Sequence, residues 1–419
     1  MTAELRIVHA ADLHIDSPLR GLARYEGAPV ERIRGATRRA TENLVSFCIE
    51  QEAALLLIAG DLYDGKWRDF STGLFFASQM ARLGAAGVRV VWVRGNHDAA
   101  SSIQRHLSLP SNVRELSVRA PETQVFDDLG VAVHGQGFAR HDVKQELSAA
   151  YPEPHPGLLN LGLLHTSATG RPGHEPYAPC SVESLVSRGY DYWALGHVHQ
   201  REVLHQEPWV VFSGNLQGRH AKETGPKGAT LVTALGGQIL SVEHQALDVV
   251  RWCRCEVDAS AATHPDDLLQ AVQECLEAEA DQAEGRLLAA RVRIHGPSAV
   301  HERLRRDPER WENELRLSAM EVRGAEVWVE KVLFDTASPR PLATISRAGE
   351  PLGELLAYAR ALGEAPVALT DSHKELRALR AKLPLGYRDE LSPAALRSAL
   401  GEVAQLLPAW IFGVEEEES

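Results

Sequence analysis

Short apolar runs alternate with longer segments of mixed polarity through the first 250 residues of the chain. The apolar runs are rich in Val, Leu and Ile and predict β-strands. These predicted strands span residues 5–8, 54–59, 88–93, 131–133, 159–164, 190–195 and 209–212. Segments 30–51 and 72–83, which lie between the first three strands, place apolar residues at helical spacing. The resulting βαβαβ order predicts an α/β fold whose sheets are covered on both faces.

The pattern changes from about residue 251. Predicted strands and helices then alternate at residues 251–257, 265–284, 287–294, 298–317 and 326–333. This β-α-β-α-β order is typical of a small separate domain. A Ser-Pro-Arg-Pro stretch at 338–341 indicates a linker, and helical patterns follow at 352–362, 372–383 and 393–406. We therefore predict three domains, which span residues 1–250, 251–338 and 339–419.

The amino-acid composition excludes several classes of protein. The net charge is −13, from 44 Lys and Arg against 57 Asp and Glu. A broad basic surface for nucleic acid is therefore not expected, and polyanion binding would depend on local patches, bound metal or a partner. Five cysteines without a C-x-x-C pair argue against a disulfide framework or a thiolate zinc site. Without a long apolar run or a signal-peptide pattern, we expect a cytoplasmic protein that does not enter a membrane.

Polar side chains with metal-binding chemistry follow five of the predicted strands. These clusters are Asp12 and His14; Asp61 and Asp64; Asn96, His97 and Asp98; His165; and His197 and His199. Any one of them alone could be an ordinary turn or helix cap. Five in order, each at the carboxyl end of a strand, predict a common site, because open α/β sheets place their sites at that edge.

The residue types in these clusters indicate the kind of metal. Carboxylate, amide oxygen and imidazole without thiolate suit divalent Mn, Fe or Zn in a reactive centre. The side chains are too many for one ion but suffice for two if one carboxylate bridges, which is the usual arrangement for phosphoryl-ester hydrolysis. His197 and His199 project the same way from an extended segment, so that each can reach one ion.

The clusters follow the pattern D-x-H, G-D-x-x-D, G-N-H-[DE], H and G-H-x-H, and the chain thereby resembles the calcineurin-like metallophosphoesterase superfamily. The resemblance implies a core of two packed β-sheets flanked by helices. It also implies two divalent ions, foremost Mn²⁺, with Fe²⁺, Zn²⁺ and Mg²⁺ as alternatives. The first ion would be held by Asp12, His14, Asp61 and His199. The second would be held by Asp61, Asn96, His165 and His197, with Asp61 as the bridge.

The same resemblance assigns two further roles. His97 would be the catalytic histidine that does not bind metal, and Asp64 would orient it. Archaeal and eukaryotic break-repair relatives carry a histidine where Asp64 stands, so the roles tied to that second histidine do not transfer to this chain.

Segments 10–19, 214–220 and 223–228 resemble the bacterial SbcD-type DNA repair exonucleases, in particular their YhaO-like branch. This similarity covers residues 5–235. Beyond it only the architecture is similar, with residues 251–336 in the place of that family's small DNA-capping domain and helices after it. The resemblance implies DNA as substrate, an SMC-like coiled-coil ATPase as partner, and often a nuclease dimer.

We therefore expect a metal-dependent DNA exonuclease or endonuclease that acts in DNA repair or end processing. A metallophosphoesterase for a small phosphodiester or nucleotide fits the metal pattern equally, and a non-catalytic scaffold is the third hypothesis. Within the loop at 214–220, Gln217, Arg219 and His220 are candidates for phosphate contact. The alternative for this loop is a purely structural turn.

Overall fold

The computed structural model describes residues 4–17, 29–64, 70–100, 108–168, 177–324, 326–339 and 351–364, with scattered positions between 378 and 403. The chain divides into two compact units. The first comprises residues 1–253 and 281–289, and the second comprises residues 254–280 and 290–419. The helical region predicted over 339–419 lies mostly outside the described residues.

The first unit contains a six-stranded sheet in the order β12-β11-β1-β2-β3-β4. Its strands are β1 (Leu5–Ala10), β2 (Leu55–Ile58), β3 (Arg89–Trp92), β4 (Val113–Glu115), β11 (Gly228–Leu235) and β12 (Gln238–Ala246). Strands β1 to β4 are parallel, whereas β11 runs antiparallel to β1 and β12 antiparallel to β11. The carboxyl ends of β1, β2 and β3 therefore lie side by side.

A second six-stranded sheet has the order β5-β6-β7-β8-β10-β9. Its strands are β5 (Glu122–Phe126), β6 (Val131–Gly135), β7 (Leu159–His165), β8 (Tyr192–Gly196), β9 (Glu202–Gln206) and β10 (Trp209–Phe212). The inner four strands are parallel, and β5 and β9 are antiparallel edges.

Helices and the two sheets form layers around separate apolar clusters. The helices of this unit are α1 (Val30–Arg34), α2 (Ala36–Glu50), α3 (Phe70–Ala85), α4 (Asn96–Ala100) and α5 (Val182–Val186). In β2, Leu56 and Ile58 pack in one cluster with residues of α2 and α3. Leu55 and Leu57 face the other way, into a cluster shared with β7 and β8 of the second sheet. Burial on both faces explains the unbroken apolar run, and the predicted α/β core of two packed sheets flanked by helices is confirmed.

A three-stranded sheet in the order β13-β14-β15 lies mostly in the second unit, although the first residues of β13 and β14 belong to the first unit. The strands and helices of this part of the chain are β13 (Val250–Asp258), α6 (Pro265–Gln282), β14 (Leu287–Pro297), α7 (His301–Arg306), α8 (Pro308–Ala319), β15 (Val327–Ala337) and α9 (Pro351–Glu364). The helix predicted over 298–317 is in fact α7 and α8. The break lies at Asp307, whose side chain accepts the N–H of Arg310, and Pro308 then begins the new helix.

Five strands of the first unit were not predicted from the hydrophobic pattern: β4, β5, β9, β11 and β12. Four of them, β4, β5, β9 and β12, are only partly buried, so polar residues interrupt their apolar character. The helix predicted over 30–51 is divided into α1 and α2 at Gly35. No helix among the described residues combines the length and the apolar character needed to cross a membrane.

Close packing in the second sheet makes a glycine necessary in β7. Gly162 is paired with Trp193 of β8, and a Cβ on Gly162 would lie 2.3 Å from Trp193 Cε3. We expect Gly162→Ala to destabilise the fold by about 1–3 kcal/mol, because the buried indole must shift. Chemical denaturation measures this change. Trp193→Leu in the same chain makes room for the methyl group, so strictly additive destabilisation in the double variant would contradict the steric explanation.

Candidate metal centre

The loops that follow β1 and β2 are tied together by main-chain hydrogen bonds. The N–H of Asp12 donates to the carbonyl of Gly60, and the N–H of His14 donates to the carbonyl of Asp61, both at 3.0 Å. Asp12, His14, Asp61 and His197 have φ values of 51°, 43°, 53° and 101°. Left-handed backbone is unfavourable for residues with a Cβ and is concentrated at functional sites.

Glycines let the main chain approach the predicted ligands closely. A Cβ on Gly95 would lie 2.2 Å from Asp61 Oδ1, and a Cβ on Gly60 would lie 2.5 Å from His165 Nδ1. At both positions a side chain would occupy the space of a predicted ligand. The glycines of the G-D-x-x-D and G-N-H-[DE] motifs are therefore required by the packing around the site.

The structure brings the predicted side chains together in three groups, within each of which the candidate ligand atoms lie within 4.8 Å of one another. The groups are Asp12, His14 and His199; His14, Asp64 and His97; and Asp12, Asp61 and His165. Asp61 belongs to the third group and also approaches the first, since its Oδ2 is 3.7 Å from His165 Nε2 and 3.9 Å from His14 Nε2. The ring centroid of His197 is 5.2 Å from that of His165, and the main-chain N–H of His197 donates to the carboxylate of Asp12.

The hydrogen bonds of His165 leave two acceptors facing each other. Burial lowers the pKa of this histidine, so the ring carries one N–H. Its Nδ1 is 2.9 Å from the carbonyl of Ala59, which can only accept, so that the proton lies on Nδ1. The unprotonated Nε2 then lies 2.9 Å from Asn96 Oδ1, which is also an acceptor. A cation bound between these two atoms would satisfy both of them.

Three carboxylates buried close together also favour a bound cation. Burial and the charge of Asp61 raise the pKa of Asp12 well above its usual range. Burial and the same neighbour raise the pKa of Asp98 to about 8, although its carboxylate accepts the N–H groups of Tyr63 and Gly95. Grouping carboxylates in the interior is costly without a compensating cation. The residues present therefore fit a divalent metal centre.

His97 and Asp64, which belong to the second group, are paired with each other. His97 Nδ1 is 3.0 Å from Asp64 Oδ1, and 36% of the His97 side chain is exposed. Burial alone would raise the pKa of Asp64, but hydrogen bonds from His97 and Ser17 lower it to about 2. Burial alone would lower the pKa of His97, but the hydrogen bond to Asp64 and the charges of Asp61 and Asp64 raise it. The pair thus favours the protonated form of the His97 imidazole.

Gln217, Arg219 and His220 are the candidates for phosphate contact, and the structure gives each of them a different environment. The Gln217 side chain is buried, accepts the N–H groups of Val249 and Val250, and donates to the carbonyl of Val250. This placement argues against contact with substrate, because its amide is committed to the main chain. Arg219 Nη2 donates to Glu223, and His220 is exposed at the end of the loop.

Glu223 was not predicted as a site residue. Its side chain is 7% exposed, and Oε1 lies 2.6 Å from His199 Nδ1. Burial alone would raise the pKa of Glu223, but the hydrogen bond from His199 and the charge of Arg219 hold it well below its usual range. The only sequence signal was its position at the start of the segment 223–228, because no strand or helix periodicity marks it.

Metal binding should stabilise the fold, since a bound cation neutralises the grouped carboxylates. At a free Mn²⁺ concentration of about 100 times the dissociation constant, linkage gives about 2.7 kcal/mol of stabilisation. For a unit of this size we expect the Tm to rise by about 5–10 °C. Thermal unfolding in Mn²⁺ and in EDTA measures the shift. An equal rise on adding Ca²⁺ to Asp61→Asn would indicate a non-specific effect of divalent ions.

Two family models match the chain. Residues 5–201 match the calcineurin-like phosphoesterase family, and residues 252–337 match the middle domain of the metallophosphoesterase YhaO. The uncharacterized metallophosphoesterase YhaO of Bacillus subtilis (strain 168) is 34% identical over 65% of this chain and 68% of its own length.

Other proteins are similar over smaller parts. The DNA double-strand break repair protein Mre11 of Methanopyrus kandleri is 30% identical over 49% of this chain, which spans 47% of that relative. The crystal structure of TT1561 from Thermus thermophilus aligns with 56% of this chain and 100% of its own, at a TM-score of 0.32 and 13% identity. From the matched models, the identity to YhaO and the assembled ligand groups, the chain belongs to the calcineurin-like metallophosphoesterases, in a family with YhaO.

Proposed function

We propose that the chain hydrolyses phosphodiester bonds in DNA at a centre of two divalent metal ions, in DNA repair or end processing. The observation that carries this proposal is the His97–Asp64 pair at the open side of the grouped Asp12, His14, Asp61, His165 and His199. An ion-binding cluster with a partly exposed imidazole beside it can hold a phosphoryl group and deliver a proton to the leaving oxygen.

In this proposal each of the two ions is bound by its own set of side chains, with Asp61 in both sets. The first ion is assigned to Asp12, His14, Asp61 and His199, and the second to Asp61, Asn96, His165 and His197. Divalent ions in such a centre neutralise charge on the phosphoryl oxygens and lower the pKa of an attacking water. Mn²⁺ suits the mixture of carboxylate, amide and imidazole ligands.

His97 is assigned the proton transfer to the leaving oxygen. Asp64 accepts a hydrogen bond from Nδ1 and so leaves Nε2 as the donor toward substrate. The contact with Asp64 raises the pKa of His97 and so favours the form that can donate this proton. Asp64 in turn is fixed by Ser17, whose hydroxyl donates to Oδ2 at 2.7 Å.

Similarity to relatives that are named DNA double-strand break repair proteins supports DNA as the substrate. The net charge of −13 supports a second candidate, hydrolysis of a small phosphodiester or nucleotide, because a broad surface for polyanions is not expected. In the first case the bound ions, local patches or a partner would supply the positive charge.

Cleavage assays separate the two candidates. The purified chain is incubated with end-labelled duplex DNA, single-stranded DNA or bis-p-nitrophenyl phosphate, in Mn²⁺, Mg²⁺ or EDTA. Cleavage of DNA that requires Mn²⁺ supports the nuclease proposal. Hydrolysis of the small ester without any cleavage of DNA favours the second candidate, and no metal-dependent hydrolysis of either contradicts both.

A further inference from the structure

We propose that Glu223 is a positioning residue of the metal centre: it holds the imidazole of His199 in one tautomer and one orientation, with Nε2 toward the other ligands. This inference rests on the proposed two-metal centre. It assigns a role to a carboxylate outside the five predicted clusters of metal ligands, and it gives the loop at 214–223 a role other than substrate contact.

Both oxygens of Glu223 are held by donors within the same loop. Oε2 accepts the N–H of Arg219 at 2.8 Å and the side-chain amide of Asn215 at 3.0 Å. Oε1 accepts from Arg219 Nη2 at 3.1 Å and lies 2.6 Å from His199 Nδ1. A carboxylate with both oxygens fixed in a buried site has little freedom to rotate, so it can set the orientation of the ring that binds it.

The contact also decides the tautomer of His199. An ionised carboxylate can only accept, so Nδ1 carries the proton. Arg219 Nη2 also lies 3.3 Å from His199 Nδ1, and a hydrogen bond between these two atoms would require Nδ1 to be the acceptor. The contact of Nδ1 with Oε1 is shorter and charge-assisted, so Nδ1 donates to Oε1 and Arg219 Nη2 also donates to Oε1. Nε2 is then left with its lone pair, 3.3 Å from His14 Nε2 and 3.9 Å from Asp12 Oδ1.

Residues on either side of Glu223 also bind the main chain of His199. Lys227 Nζ donates to the carbonyl of His199 at 2.8 Å, and the N–H of Asn215 donates to it at 3.3 Å. Residues 215–227 therefore hold His199 at both its ring and its backbone. His165 is oriented differently, by the carbonyl of Ala59, so Glu223 offers a side chain whose orienting role can be removed by mutation.

The competing explanation is that Glu223 serves only to neutralise Arg219 and close the loop. A merely structural carboxylate would affect unfolding but not the properties of a bound metal. Glu330 is a matched control, because it is similarly buried and accepts two hydrogen bonds from Arg291, at 2.7 and 2.8 Å, in the second unit.

The test measures metal binding by the full chain and does not use activity. Glu223→Ala, Glu223→Gln, Glu330→Ala and the wild type are titrated with Mn²⁺, and the visible absorption of each is recorded with Co²⁺. We expect Glu223→Ala to weaken one of two ions by about 10–100-fold and to change the Co²⁺ spectrum. Glu223→Gln keeps an acceptor for Nδ1 and should recover part of the affinity. Glu330→Ala should lower the Tm and leave both metal readouts unchanged.

Two results would overturn the inference: wild-type metal affinity and spectrum in Glu223→Ala, or a wild-type chain that binds no metal. If Glu223→Ala does not fold, Glu223→Asp replaces it, because the shorter side chain keeps the negative charge beside Arg219 but withdraws the oxygen from His199 Nδ1. Unchanged affinity and an unchanged spectrum in Glu223→Asp would then count against the role. A wild type that binds two ions but cleaves no DNA would contradict the proposed nuclease function and leave the positioning role to be decided by the metal readouts.

Discussion

Turnover is expected to fall by about 10²–10⁴-fold in His97→Ala, while the metal content of the protein stays at the wild-type value. The reason is the geometry of this side chain. Its ring pairs with Asp64 at 3.0 Å and is partly exposed, so it can reach a bound substrate. Its contact with Asp61 is made by the main-chain N–H, at 2.9 Å, and that contact survives truncation of the side chain.

The measurement is steady-state hydrolysis beside metal analysis of the same preparation. His141→Ala is the matched control, since this second imidazole is exposed and its ring centroid lies 6.1 Å from that of His97. It should retain near wild-type rates. Normal hydrolysis by His97→Ala would remove the assigned proton transfer, and loss of metal would show that the histidine supports the ion site instead.

Asp61→Asn is expected to lose both metal and activity. Asp61 Oδ2 lies within 4 Å of His14 Nε2 and His165 Nε2, which belong to the two proposed ion sites. Removing its charge should weaken metal binding by more than the roughly 10–100-fold typical of residues that only support a ligand. Hydrolysis should fall with the metal content, because the centre can no longer assemble.

Without metal, Asp61→Asn should not destabilise the fold. In EDTA the wild type has Asp12, Asp61 and Asp98 close together in the interior, and the neutral amide removes the repulsion exerted by Asp61. We therefore expect Asp61→Asn to have an equal or higher Tm than the wild type in EDTA, and a lower one in Mn²⁺. Asp191→Asn, a half-buried carboxylate beside the amino end of β8, should leave metal content unchanged. A fully metallated Asp61→Asn would contradict the bridging role.

Local chemistry made much of the fold and the ligand set predictable. Leu55 to Ile58 are apolar because both faces of β2 are covered, and this pattern is visible in the sequence. Asp12, Asp61 and Asn96 follow parallel strands, so their convergence at one sheet edge could be inferred before any coordinates. The roles of His97 and Asp64 came from the family resemblance, and the structure adds their contact.

The rest depended on contacts that sequence periodicity does not record. Glu223 lies 24 positions after the histidine that it contacts, and it reaches that ring only because the loop folds back. Gln217 was a candidate for phosphate contact because its loop follows β10 toward the same sheet edge, yet its amide bonds to Val249 and Val250 more than 30 positions later. Both cases show that a polar residue in a loop can be assigned only when its distant partner is known.

The left-handed backbone at Asp12, His14, Asp61 and His197 has a consequence for how this protein can be engineered. Each such conformation costs on the order of 1–3 kcal/mol for a residue with a side chain, and glycine would adopt it freely. A library selected for heat resistance in the presence of a chelator should therefore enrich glycine at these four proposed metal ligands. Selection for stability alone would remove the proposed metal centre, so a directed-evolution scheme must keep metal present and screen for hydrolysis in every round.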